Sequence, residues 1–287
     1  MYNFIVNPVS GNKKAIKNMK IISQYLTERN IAFCVYPTNK KSSATKIASQ
    51  LEKCGADNII AVGGDGTLNE ILNGLQNPKN MRLGIIPSGT GNDFAYALHI
   101  SKNPRKAMKT ILKSKLKQVD YLQGNGYRGV NVVGAGLDVD VLKLHNKSKI
   151  KSKLSYVWSL IRVLFSFDFY RFRIFVDGQI LANSEFMLVA GCNGSRFGGG
   201  IKVSPYSQVR DGKINLVLIK KLSKKRIPFV LFKFLNGKHL NSNYAVEVLC
   251  ESLRIEGAKH LNVDGEIISD KPFELKVVKG GMNIYLD

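Results

Sequence analysis

Three short stretches of this 287-residue chain join a strand-like lead-in to glycines and small polar residues. The sharpest is Ile60-Ala61-Val62-Gly63-Gly64-Asp65-Gly66-Thr67-Leu68-Asn69-Glu70. Glycines there let a phosphate approach the backbone with no Cβ in the way. A helix opening just after them offers free N–H groups and the positive end of its dipole. Thr67 can cap that helix or donate to a phosphate, and Asp65 can hold Mg²⁺ directly or through water. A second stretch, Ile86-Pro87-Ser88-Gly89-Thr90-Gly91-Asn92-Asp93-Phe94-Ala95, repeats the logic, and a third is Asn7-Pro8-Val9-Ser10-Gly11-Asn12-Lys13. None has the GxxxxGK[ST] or GxGxxG spacing. Each alone also describes an ordinary strand–turn–helix corner. Three of them after strands of one parallel sheet would meet at one edge, where ligands bind, and that favours a nucleotide site.

The elements that must position these loops are legible as patterns. Tyr2–Val6, Ile31–Tyr36, Asn58–Val62 and Leu83–Ile86 read as short apolar strands. Between them, Ile16, Met19, Ile22 and Leu26 recur at helical spacing, as do Ile47, Ala48, Leu51 and Cys54, with Gly55 as a stop. Leu68–Leu75 reads as a third helix. This alternation predicts a parallel α/β sheet over residues 1–120. From about Lys117 the pattern turns to strands: Tyr127–Val133, Phe172–Val176, Gln179–Ala190, Ile214–Ile219, Ala245–Cys250 and Phe273–Val278. Asp-Gly pairs at 177–178, 211–212 and 264–265 signal hairpins. Residues 121–287 therefore read as a β-rich second domain carrying helices near 151–166 and 224–235, and the final pattern, Met282–Leu286, can pair with either half.

Composition bounds the class. Hydrophobic residues make up 44% and charged residues 22%, which excludes a disordered chain. No apolar run reaches the length of a spanning helix, about 20 residues, and the N-terminus lacks the pattern of a signal peptide, so an intracellular protein is expected. Cys34, Cys54, Cys192 and Cys250 show no metal spacing and read as reduced small hydrophobes. The 43 Lys+Arg against 21 Asp+Glu give a net charge of +22, which predicts an anionic partner or simply a solubilising surface.

The set Asn7–Gly11, GGDGTLNE at 63–70 and PSGTGNDFA at 87–95 resembles the diacylglycerol kinase catalytic-domain family, across essentially the whole chain. GGDGT is shared with the related NAD kinases and 6-phosphofructokinases; the pair of motifs is specific to the lipid side. The resemblance implies ATP held in a cleft between an N-terminal α/β domain and a C-terminal β-sandwich-like domain. It places Asn7, Pro8, Val9, Ser10, Gly11, Thr38, Gly63, Gly64, Asp65, Gly66, Thr67, Leu68, Asn69 and Thr90 around the nucleotide. Val263-Asp264-Gly265-Glu266 matches the family's DGE or DGD segment, whose last carboxylate is the general base. Glu266 stands just past a tight turn, which can fix and aim it, and a base is what an attacking hydroxyl requires. Asp177-Gly178-Gln179 has the same turn with no acid after it. A family metal loop falls on Gln208–Lys213, where Mg²⁺ would take the Gln208 and Lys213 carbonyls and the Asp211 carboxylate; relatives often carry a second acid where this chain has Arg210. Asp120 matches an acid that joins Asp65 and water around the nucleotide's Mg²⁺.

Lys147, Lys149, Lys151 and Lys153 precede an apolar helix, Leu154–Phe167, and Lys220, Lys221, Lys224, Lys225 and Arg226 precede another apolar stretch. Basic residues beside apolar helices suit an anionic membrane surface, and a solvated face over core helices is the plain alternative. No nucleic-acid motif is present. The expectation is a cytoplasmic kinase, peripheral to the inner face of the membrane, that uses ATP and Mg²⁺ to phosphorylate a lipid hydroxyl, first of all diacylglycerol. The open alternatives are a sphingoid base, another lipid alcohol or NAD as acceptor, and an idle nucleotide- or lipid-binding protein. The resemblance also leaves room for a homodimer.

Overall fold

The structure is a computed structural model that describes the chain apart from residues 114, 148–152, 167 and 270–271. It divides into two compact units: Met1–Asp120 with Lys279–Asp287, and Tyr121–Val278.

The first unit alternates strand and helix: β1 (Tyr2–Val6), α1 (Lys14–Thr27), β2 (Phe33–Pro37), α2 (Ser43–Lys53), β3 (Asn58–Gly63), α3 (Asp65–Gly74), β4 (Arg82–Pro87), α4 (Asp93–Ala97) and α5 (Pro104–Leu112). Strand pairing is parallel throughout, β1 lying between β2 and β3 and β3 beside β4. β3 is buried along its whole length, which explains its unbroken apolar run. α1 lays Ala15, Met19, Ile22 and Leu26 on the sheet, joined there by Met108 and Ile111 of α5. Asn283 and Ile284, near the C-terminus, pair with Arg82 and Leu83 as a further parallel strand on the far side of β4. Parallel pairing puts the carboxyl ends of β1, β2, β3 and β4 at one edge, so the loops that follow them leave from the same side.

The second unit contains β5 (Leu116–Gly124, entering from the first), β6 (Tyr127–Gly129), β7 (Val132–Gly136), α6 (Leu137–Lys147), α7 (Lys153–Ser166), β8 (Tyr170–Val176), β9 (Gln179–Cys192), β10 (Ile214–Lys220), α8 (Ile227–Leu235), β11 (Ala245–Cys250), β12 (Ser252–Glu256), β13 (His260–Val263), β14 (Glu266–Ser269) and β15 (Phe273–Tyr285, whose end is the strand beside β4). β9 is the hub, pairing antiparallel with β7, β8 and β10. Phe172, Phe186, Val189, Leu216, Leu253 and Phe273 meet in one core, the sandwich-like interior. On the other side of β9 and β10, Ala190, Cys192, Val217 and Ile219 are covered by Tyr156, Leu160 and Val163 of α7 and by Ile227, Val230 and Phe234 of α8.

Several expectations are corrected here. The single strand expected over 127–133 is two, because Val130 and Asn131 turn the chain toward Asp264. Asp-Gly at 211–212 is no hairpin: β10 starts after it and no strand leads in. α6, absent from the expected elements, follows β7 at a positive-φ glycine, Gly136 (φ 102), and places Leu137, Val141 and Leu144 at helical spacing against one core. Cys54 is exposed at the end of α2 rather than buried, and all four thiols are free. Lys149, Lys151 and Phe167 lie outside the described residues.

Candidate functional site

The loops after β1, β3 and β4 touch one another through their glycines. A Cβ on Gly11 would lie 2.1 Å from the Ser88 carbonyl oxygen, and Gly11 has φ +57. A Cβ on Gly89 would lie 2.5 Å from the Cα of Gly64, and one on Gly64 would lie 3.8 Å from Ser10 Oγ. The backbones are knitted as well: Asn7 N donates to the Val62 carbonyl at 3.1 Å and Ser88 N to the Gly63 carbonyl at 2.7 Å. Thr38 N, at the end of β2, donates to the Val6 carbonyl at 2.8 Å. Below them, Asn18 of α1 donates through Nδ2 to Ser88 Oγ at 2.8 Å. Three chain segments thus present small residues at one sheet edge, a surface on which a phosphate chain can lie against main-chain groups.

The Pro87–Ala95 loop is held from two directions. Asn92, left-handed at φ 56, brackets Gly89 by accepting from its N–H and donating to its carbonyl, both at 2.8 Å. Asp65 accepts from the N–H groups of Asp93 at 2.9 Å and Phe94 at 3.0 Å. Burial raises the Asp65 carboxyl above the usual carboxylate range, and these amide bonds pull it back. Asp65 therefore fixes the next loop with both of its oxygens.

The other residues of the glycine motif divide by direction. Gly66 is exposed, with nothing near its Cβ position. No side chain caps α3, whose N-cap is Gly64, so Thr67 is not the cap the sequence allowed. Thr67 is buried beneath Gly63, where a Cβ would stand 2.3 Å from Thr67 Oγ1, and Asn7 Nδ2 donates to that hydroxyl at 3.4 Å. Leu68 belongs to the core, and Asn69 is buried with its carbonyl and side-chain oxygens accepting from Asn73 Nδ2. Val9 and Thr90 are exposed, and Pro8, Ser10 and Thr38 half-buried. A cavity of about 200 Å³ opens beside the Pro87–Ala95 loop, lined by Pro87, Asn92, Ala95, Tyr96, His99 and Lys102. The last three carry no motif, and only their position behind the loop marks them.

Replacing Gly89 with alanine drives a methyl group into the Gly64 backbone, which has no flexible side chain to yield. Gly89→Ala is expected to lower kcat/KM for ATP about a hundredfold through misplacement of the loop, with the far-UV spectrum unchanged. Wild-type kinetics in this variant would show that the two loops need not touch.

In the second unit, Asp264 and Gly265 form the two-residue turn of a hairpin, with φ values of 50 and 92 and Val263 opposite Glu266. The turn is anchored. The Asp264 carboxylate accepts from Val130 N at 2.6 Å, Asn131 N at 3.0 Å and Val132 N at 2.9 Å. Asn262 Oδ1 accepts from Gly265 N at 2.9 Å. Glu266 opens β14 and is half-buried, directly after a turn held by these four hydrogen bonds. Asp138, which sequence reasoning missed, sits behind the same hairpin. It is buried, bonded to the Asn262 side chain, and leaves Oδ1 with no partner; burial pushes its carboxyl up to about 7. Gly134 makes room for it, since a Cβ there would fall 2.1 Å from Asp138 Oδ2.

The residues expected to hold metal are not brought into a cage of side chains. Among the described residues there is no group of three or more His, Cys, Asp or Glu that could hold an ion. Asp120 is buried in the first unit, where Oδ1 accepts from Gly280 N at 2.6 Å. Asp211 is exposed and accepts from Lys213 N at 2.9 Å, while Lys213 Nζ reaches Glu251 at 2.6 Å; Gln208 is exposed. This donor set, with isolated carboxylates and main-chain carbonyls, fits an ion that keeps most of its water or phosphate ligands, as Mg²⁺ does.

A parallel α/β unit with three glycine loops at one edge, together with a β-sandwich-like unit carrying an anchored acid, defines the class of ATP-dependent kinases shared by lipid kinases and NAD kinases. Residues 1–123 match the diacylglycerol kinase catalytic domain, and residues 131–286 match the YegS C-terminal NAD kinase beta sandwich-like domain. The chain is 31% identical to the diacylglycerol kinase of Bacillus subtilis over 91% of its length and 88% of that protein's. It is 26% identical to that of Staphylococcus carnosus, covering 98% and 93%. A crystal structure of a diacylglycerol kinase from Bacillus anthracis superposes with a TM-score of 0.75 at 26% identity, covering 100% of this chain and 96% of that one. An NAD kinase from Archaeoglobus fulgidus shares the fold alone, with a TM-score of 0.54 at 14% identity over 99% and 92%. The chain belongs to the diacylglycerol kinase family.

Proposed function

We propose that this kinase transfers the γ-phosphate of ATP to the free hydroxyl of diacylglycerol, forming phosphatidic acid. The observation that carries the reading is the contact of three glycine loops at the carboxyl edge of the parallel sheet, in a chain whose relatives are named diacylglycerol kinases. Asn7, Pro8, Val9, Ser10 and Gly11, with Gly63, Gly64, Gly66 and Thr90, offer main-chain and small polar groups to the nucleotide's phosphates. Thr67, Leu68, Asn69 and Thr38 support that surface from beneath and beside it. Asp65 is a positioning residue through its bonds to the Asp93 and Phe94 amides. Glu266 is the general base: it takes the proton of the lipid hydroxyl as that oxygen attacks the γ-phosphorus and the bond to the β,γ-bridging oxygen breaks, leaving ADP. Mg²⁺ bound with ATP would neutralise charge on the phosphates; Asp120 would help to hold that ion, and the Gln208 and Lys213 carbonyls with the Asp211 carboxylate would hold a separate one.

The test is an acceptor panel with labelled ATP and Mg²⁺ in mixed micelles: diacylglycerol, a sphingoid base, a long-chain alcohol, and NAD in solution. The expected result is labelled phosphatidic acid as the main product. Preferred labelling of NAD or of the sphingoid base would overturn the acceptor while leaving the kinase fold in place.

A further inference from the structure

On the face of β9 and β10 turned away from α7 and α8, the sandwich core is left open at one end. Phe186 of β9 is buried in that core. Two and four residues earlier, Ser184 and Ala182 stand opposite Phe172 and Ile174 of β8, so they face the same interior. Their side chains are too short to fill it. Leu181 is the extra residue of a bulge at this point, because Ile174 pairs with Ala182 and Phe175 with Ile180. Across the gap, Val246 and Val248 of β11 stand opposite Leu218 and Leu216 and are only half-buried. Among the described residues β11 pairs with β10 alone, so no further strand closes that side. What remains is a cavity of about 320 Å³, walled by Leu181, Phe186, Leu218 and the two valines, with Ser184 and Lys220 as its polar lining.

Charge narrows the ligand. Lys220 is the charged residue of the lining, and no acid lines the cavity. The sequence groups Lys220 with Lys221 and Lys224, but the structure separates them. Lys221 pairs with Glu185 at 2.6 Å, and Lys220 has no ion pair among the described residues. Glu247, the acid between Val246 and Val248, accepts from Ser204 Oγ. An apolar slot with a lone ammonium at its rim complements an alkyl chain ending in one negative charge. A phosphate monoester carries nearly two charges and is ordinarily met by several donors, whereas a carboxylate carries one. The volume is at the lower end of small-ligand cavities, about 300–1,000 Å³, which suits one chain rather than two. The site is remote from the anchored hairpin. Cys192, at the other end of β9, pairs with Val132, whose N–H meets Asp264, and the strand from Ser184 to Cys192 spans roughly 25 Å.

We propose that this cavity is a binding site for a single-chain fatty acid, its alkyl chain lying between β9 and β11 and its carboxylate on Lys220 Nζ. Burial of the chain supplies the affinity, and the ammonium selects the charge and the direction of entry. The site stands apart from the one where Glu266 works and does not depend on which acceptor the kinase uses.

The experiment titrates the full chain calorimetrically with laurate below its micelle concentration, without ATP. Butyrate controls for the chain and dodecyltrimethylammonium for the charge. The expected result is one laurate per chain, with both controls at least about tenfold weaker. Lys220→Gln should weaken laurate about tenfold by removing the charged partner. Ser184→Phe puts a ring into the cavity from an exposed position and should abolish binding. Both variants should melt and transfer phosphate like the wild type. Laurate binding unchanged in both variants would overturn the inference, and so would equal affinity for the cationic amphiphile or uptake of many molecules per chain without saturation. A dimer that takes up no laurate and that Ser184→Phe dissociates would also overturn it, making the open end a self-association edge. Absence of laurate binding would remove this site and leave the result of the acceptor panel as it stands.

Discussion

Glu266→Gln is expected to leave ATP binding intact while phosphoryl transfer falls by about 10²–10⁴-fold, the usual contribution of a positioned general base. Glutamine keeps the size and hydrogen-bonding reach of the side chain and removes the ability to take a proton. The backbone that aims it should not move, because the hairpin is fixed by Asp264 on the amides of Val130, Asn131 and Val132 and by Asn262 on Gly265, none of which involves the Glu266 side chain. Single-turnover phosphate transfer and calorimetric ATP binding on the same preparation separate the two effects. A parallel loss of affinity and turnover would sink the base assignment, because it would mean that Glu266 holds the nucleotide or the local fold rather than the proton.

Asp138→Asn is expected to stabilise the protein at pH 8 and to leave it unchanged near pH 4. In the folded chain burial pushes the Asp138 carboxyl up from 3.8 to about 7, and Asp140 nearby adds to the rise. Between those values the folded state holds a proton that the unfolded chain has released. The unfolded state therefore binds fewer protons, and stability falls as pH rises through that window and levels off above it. A displacement of about three units corresponds to about 4 kcal/mol at full effect. At roughly 2 °C per kcal/mol for a chain of this size, the variant should melt about 8 °C higher at pH 8. Melting curves from pH 4 to 8.5 for both proteins check this. Parallel curves would show that Asp138 titrates as an exposed acid does.

The two variants test different halves of the same hairpin region, and only one half was visible in sequence. Asp264-Gly265 between apolar runs announces a tight turn, and an acid immediately after it is an aimed carboxylate wherever the turn is held. What holds it is not readable: Val130–Val132 lie more than 130 positions earlier, and their N–H groups reach Asp264 because β7 and β13 pair. Asp138 was invisible for a related reason. An acid in Leu-Asp-Val-Asp gives no sign of burial, and its environment is made by Gly134 and Asn262 once the strands assemble. The Asp-Gly at 211–212 looked the same as the other two and is no hairpin, since turn chemistry is necessary for a hairpin and a pairing partner decides it.

Local pattern was enough to show a parallel sheet in the first unit, because a buried central strand needs an unbroken apolar run and its helices need 3.6-residue periodicity. It determined the loops too, because backbone approach to phosphate leaves few side chains that fit. Tertiary structure decided what those loops do to each other. Gly11 meets Ser88 and Gly64 meets Gly89 only when non-adjacent segments converge at one sheet edge, and steric exclusion at those contacts has no signature in local sequence. The same step turned Asp65 into the clasp of the next loop: a carboxylate after two glycines can face a metal or an amide, and Asp93 and Phe94 bring the amides.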